Sequence, residues 1–202
     1  ATTLPRMFFL RTASSVAQGS TLSVSQGIGS DPSNRPRIGS SLVGDRFLLV
    51  LFRRNTSGST ILAAVYRPTG TNFGTLFVGP MLNASQGTME PGDVSTIANL
   101  ADKWVVVWRE CSDATCNSQL VRMQALVSNN GFSPLTGEPT LTLATGGLRG
   151  EAAIAGHGGQ LLATWRAFDT TTNSNDIHGV PIGISGGLYG PLGAVQNLSA
   201  QE

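Results

Sequence analysis

The stretch Phe47-Leu48-Leu49-Val50-Leu51-Phe52-Arg53 is an apolar run that ends in an aromatic and an arginine. The same block returns as Trp104-Val105-Val106-Val107-Trp108-Arg109, and again as Leu161-Leu162-Ala163-Thr164-Trp165-Arg166. Its terminal aromatics Phe52, Trp108 and Trp165 stand 56 and then 57 residues apart. A near-constant period of that length marks a stacked or radial repeat. Each unit of such a repeat buries its apolar face only against a neighbour, so the chain reads as one domain.

The sequence around each run predicts a four-stranded unit. A short half-polar strand comes first, at Arg37–Leu42, Val94–Ala98 and Ala152–Ala155. A tight turn leads into the apolar run, whose β-branched and aromatic content favours a buried strand over a helix. A polar loop opens onto a third strand beginning at Ile61, Leu120 or Ile177. A glycine turn then leads to a weaker fourth strand near Phe77–Leu82, Pro139–Leu143 and Ala194–Leu198. Hairpin signals between successive strands make each unit an antiparallel sheet. The segment Phe9 to Gly19 matches Ile61 to Gly70 in spacing, so residues 1–34 read as half a unit. Full units span 35–91, 92–147 and 148–202. No periodic apolar stretch carries helix caps.

Composition agrees with turn-rich β-structure. Hydrophobic residues are 40% of the chain, enough for a core. Charged residues are 12%, about half the usual share. A net charge of +1 gives no electrostatic basis for binding nucleic acid or an anionic membrane. Lys103 is the only lysine, against twelve arginines. This bias fits a GC-rich genome, or arginines chosen for bidentate contacts. No run approaches the ~18 apolar residues of a membrane span. The opening at Ala1 fits a mature form with its signal removed, and fits a trimmed chain equally.

Cys111 and Cys116 flank a four-residue loop on an expected hairpin tip. Such a pair can close a disulfide where its Cα atoms approach within about 4.4–6.8 Å. Two thiols are too few for a structural zinc site, and no metal site or cofactor is expected. A disulfide would indicate an oxidising compartment: secreted, periplasmic or cell-surface. The triplets at Asn55, Asn83 and Asn197 match the N-glycosylation pattern, a weak signal in a chain rich in Asn, Ser and Thr.

Repeated four-strand units of this size resemble β-propeller blades. The pattern is similar to blade-type repeats of secreted bacterial proteins, in which strand two ends in Trp plus a polar residue and strand three opens with Asp-Ile-x-Gly. Trp165-Arg166 followed by Asn175-Asp176-Ile177-His178-Gly179 carries this resemblance best. Trp108-Arg109 with Gln119-Leu120, and Phe52-Arg53 with Thr60-Ile61, are looser. The resemblance implies a propeller-like arrangement and no activity. The sialidase-type Ser-x-Asp-x-Gly-x-Thr-Trp box, the Trp-Asp dipeptide and Asp-rich calcium loops are missing. Three and a half blades fall short of a ring of four to eight. Further sequence, another chain, an open arc or an irregular N-terminal closure would each resolve this.

Two sets of residues could carry binding. Trp108 and Trp165, with Phe52, fit packing between blades, or sugar-stacking platforms as in lectin propellers. Arg53, Arg109 and Arg166 share one repeat position and so one side of the structure. They would pair with loop carboxylates or backbone carbonyls, or line an anion-binding rim. His157 and His178 read as surface or strand-edge residues, with no ligand spacing between them. Carboxylates are scattered through loops, and only Asp93 and Glu151 fall near first-strand starts. A glycosidase would need two or three converging. The reading is therefore an all-β, non-catalytic binding or structural module. It would engage protein or glycan through loops, or complete its blade ring with another chain or by self-association. A glycosidase-like enzyme or a lectin is the alternative.

Overall fold

The computed structural model describes residues 6–7, 22–23, 33–40, 47–55, 58–69, 72–78, 91–100, 103–111, 117–127, 136–147, 149–157 and 160–199. Side chains are described within 103–199. All regular structure among these residues is β-strand, paired antiparallel, and no helix occurs.

Strands β1 (Arg6–Met7) and β2 (Leu22–Ser23) pair with each other. The first four-stranded sheet runs β3 (Ser33–Ser40), β4 (Phe47–Asn55), β5 (Gly58–Thr69) and β6 (Asn72–Val78) in sequential order. The middle sheet orders β7 (Pro91–Leu100), β8 (Lys103–Cys111) and β9 (Gln119–Val127). Short strands β10 (Thr136–Gly137) and β11 (Leu141–Ala144) both pair with β9. The last sheet repeats the plan with β12 (Arg149–His157), β13 (Gln160–Asp169), β14 (Ser174–Ser185), β15 (Leu188–Pro191) and β16 (Gln196–Asn197). Each recurring apolar run is thus the second strand of a sheet.

The fourth strand differs from its expected form. In the first sheet it starts at Asn72, ahead of the predicted Phe77. In the other two it is split. Pro139 and Pro191 lack the N–H that a continuous ladder needs, so pairing breaks beside each. The gap is bridged locally: Glu138 N–H donates to Ala125 O at 2.9 Å, and Leu192 N–H to Pro181 O at 2.8 Å. First strands run longer than expected and carry register shifts at 34/37, 91/94, 94/96 and 149/152. The proposed N-terminal strand at Phe9–Gly19 lies outside the described residues.

Two glycine positions set the last sheet. Gly186 and Gly187 have φ of 60° and 83°, the paired left-handed conformation of a type I′ turn. Their turn joins β14 to β15 with Ser185 opposite Leu188. Gly179, the glycine of the Asp-Ile-x-Gly stretch, lies beneath Leu198. A Cβ there would come within 2.8 Å of that side chain. Asp176 of the same stretch accepts from Asn197 Nδ2 at 2.9 Å, and Ile177 N–H donates to Ser199 Oγ at 3.1 Å. The motif therefore pins the final strand to the third.

Strand β3 lies against β7, and β7 against β12, so the first strands of the three sheets meet in series. The core forms between the facing sides of the middle and last sheets. Val105, Val107, Val121 and Met123 meet Leu161, Ala163, Trp165 and Ile182 there. Strand alternation selects these sets: odd positions of β13 are buried while Leu162 and Arg166 point outward. Both faces of β8 are buried, because Trp104, Val106 and Trp108 occupy its other side. Among the described residues the stacked sheets form no closed ring.

Trp165 is 1% exposed, and its indole N–H has no hydrogen-bond partner. Trp165→Ala should cost about 3–5 kcal/mol, whereas Trp165→Phe should cost less than half as much, because it also removes the unpaired donor. Denaturant unfolding of both variants tests this. Equal losses would show that the indole N–H carries no penalty.

Candidate functional site

The repeated arginine position takes different surroundings in successive sheets. Arg109, half-buried on β8, donates from Nη1 to the carbonyl oxygen of Arg149 at 3.0 Å, where β12 begins. The same nitrogen lies 3.5 Å from Gln119 Oε1, which also accepts from Arg149 N–H at 2.8 Å. Arg149 in turn donates to Gly146 O and Thr145 O at 2.8 and 3.0 Å. Burial of this strand start holds the Arg149 pKa below its usual value. Arg109 therefore staples the middle sheet to the last. Arg166 stands at the same register one sheet on, exposed, with its side chain over Gly150. Arg53 pairs through its backbone with Ser33 and Thr60. Both arginines thus reach the start of β12, Arg109 at the carbonyl of Arg149 and Arg166 over Gly150.

The aromatics take the packing role. Trp108 is 0% exposed, and its Nε1 donates to Glu110 Oε2 at 3.1 Å. Trp165 is equally enclosed, so neither indole offers a face to a sugar. Cys111 is buried at the end of β8, and Cys116 lies outside the described residues. Glu151 is exposed on β12, and His178 is half-buried opposite Trp165. Asp93 lies on β7, and His157 ends β12. No group of three His, Cys, Asp or Glu residues suited to a metal occurs among the described residues. No helix among them is long and apolar enough to cross a membrane.

Two charged arrangements escaped the sequence reading. Glu110 is buried, ion-paired with Arg122 and bonded to Trp108. Its signal was present: residues two apart on a strand share a face, and Arg122 sits opposite Trp108 in the ladder. Lys103, at the start of β8, forms an ion pair with Glu138 and donates to Gly187 O at 3.1 Å. Its ammonium also lies 5.4 Å from the centre of the Tyr189 ring, and Glu138 Oε2 accepts from Tyr189 N–H at 2.8 Å. This cluster joins the middle sheet to the β14–β15 turn. Its other members lie 35 to 86 residues from Lys103, beyond any local motif.

The remaining feature is the outward face of the last sheet. Leu162 is 43% and Ile177 44% exposed there. Ala153 and Ala155 on β12 lie in register with Thr164 and Leu162, and both are exposed. Leu192 packs over Gly183 on this side and is itself 47% exposed. Arg166 and Glu151 are the charged groups on this side.

Comparisons with protein-family models, curated proteins and solved structures match nothing.

Burial outweighs the Trp108 hydrogen bond and the Arg122 charge, and it holds the Glu110 pKa above its usual 4.5. The folded chain then binds this proton more tightly than the unfolded chain does. The contribution is full below about pH 4.5 and declines as pH rises through the folded value. Relative to Glu110→Gln, wild-type melting temperature should therefore fall as pH is raised across that window. Parallel profiles would exclude the shift. At the sheet joint, Lys103→Met should cost about 1–3 kcal/mol, since it strands a carboxylate that is only 9% exposed. A loss no greater than that of an exposed surface pair, measured by urea unfolding, would deny the joint its role.

Proposed function

We propose that this chain is a non-catalytic binding and structural module, propeller-like in the stacking of its sheets, that acts through the open outward face of its last sheet. The observation that carries the reading is the exposed set Leu162, Ile177 and Leu192 on a rigid antiparallel sheet. Sequential four-stranded sheets whose first strands meet in series support the propeller-like stacking. Protein contact is favoured over glycan contact because the two recurrent indoles are buried.

The proposed setting is extracellular, periplasmic or cell-surface, with Cys111 bonded to Cys116. Support comes from the spacing of the two cysteines, with four residues between them on an expected hairpin tip. Thiol titration of the denatured, unreduced chain should find none, and two after reduction. Two thiols before reduction would remove the argument for an oxidising compartment.

Leu162→Asp tests the open face. The variant should keep the melting temperature within about 2 °C and bind markedly less of a hydrophobic dye, because a surface change of this kind costs little. A fall of several degrees would mean that the chain itself covers Leu162.

A further inference from the structure

The outward face of the last sheet repeats, position for position, a face that is already filled elsewhere in the chain. On the middle sheet the ladder places Val105 beside Ala125, Val107 beside Met123 and Arg109 beside Val121. This face receives the last sheet. On the last sheet the equivalent pairs are Leu162 with Pro181, Thr164 with Gly179 and Arg166 with Ile177. The first strands agree: Ala98 pairs with Val105, and Ala155 with Leu162. Two things differ: Thr164 and Gly179 stand in place of Val107 and Met123, with the chain's own Leu198 lying over Gly179, and the rest of the face lacks a cover among the described residues. Val105 is 0% exposed and Leu162 is 43% exposed.

The chemistry of the missing cover follows from the filled interface. The face laid against Val105 and Val107 is that of a four-stranded sheet with a central aromatic, carrying Leu161, Ala163, Trp165, Val180 and Ile182. It also offers Arg109 a backbone carbonyl at the start of its first strand. The first sheet has the register for such a face. Leu48, Val50 and Phe52 alternate along β4 and pair with Val65, Ala63 and Ile61. Phe52 holds the repeat position of Trp165.

We propose that the outward face of the last sheet is the docking site for the first sheet of a second copy of this chain, the two copies closing head to tail. This rests on the open-face reading above. Two copies supply six sheets of the repeating plan, beside the β1–β2 pair of each, within the four to eight that a closed ring takes. A heterologous contact that returns on itself ends as a ring rather than an open filament. In the dimer Arg166 repeats the staple of Arg109, donating to a carbonyl at the start of the partner's first strand.

Light scattering after size exclusion over a hundredfold concentration range tests the proposal. The expected mass is twice the 21.0 kDa of one chain, falling to one chain in Leu162→Asp with the melting temperature retained. Arg166→Ala, a milder change, should weaken association about tenfold or more. Hydrogen exchange should show concentration-dependent protection in both 47–55 and 160–169. A wild-type chain that stays monomeric while binding the hydrophobic dye overturns the second copy and leaves the docking surface intact. A monomer with no dye binding removes both. A dimer that survives Leu162→Asp, or one that protects 160–169 alone, overturns the head-to-tail contact.

Discussion

The face-to-face contact between the middle and last sheets is the interaction on which the described structure depends. A single β-sheet with one solvated face has too little apolar surface to offset the entropy of ordering its strands. Stacking supplies the rest. Val107 and Met123 on one side and Trp165 and Ile182 on the other are almost wholly removed from water. Each Leu- or Val-sized side chain so buried contributes about 1.5–3 kcal/mol of transfer free energy. The polar groups at this interface sit around its edge, with Arg109 at one end and Lys103 at the other. Directional bonds at the perimeter thus fix how two apolar faces register.

That division explains what the sequence could and could not disclose. The second strands were legible because a short, mostly apolar run closed by an aromatic favours a strand over a helix. The glycine pair at 186–187 announced its own turn. The split fourth strands were less legible. They depend on where Pro139 and Pro191 fall relative to a partner strand, which a single sequence pattern does not register. The Asp-Ile-x-Gly stretch was visible as a motif, yet its physical role, a seat for Leu198 and a bond to Asn197, emerges only with the register in hand.

The candidate site shows the limit most clearly. Arg109 and Arg166 follow the same aromatic in the same context, and sequence alone treats them as equal. Their environments diverge because a sheet covers one and not the other. Likewise Trp108 has a carboxylate two residues on, whereas Trp165 has Ala167, so only the first indole finds an acceptor. An unpaired donor in a dry interface is a cost borne by packing. Repetition therefore preserves the apolar stack more strictly than the polar details around it.

Having only one lysine gives the joint between sheets a chemical singularity. Nearly every other basic side chain is a guanidinium, inert to acylating reagents at neutral pH. The one side-chain amine is engaged by Glu138, by the carbonyl of Gly187 and by the face of Tyr189. Covalent attachment to this side chain must therefore compete with the bonds that hold the sheets in register. The rate at which Lys103 accepts an acyl group becomes a clock for the opening of the joint, readable without introducing any label.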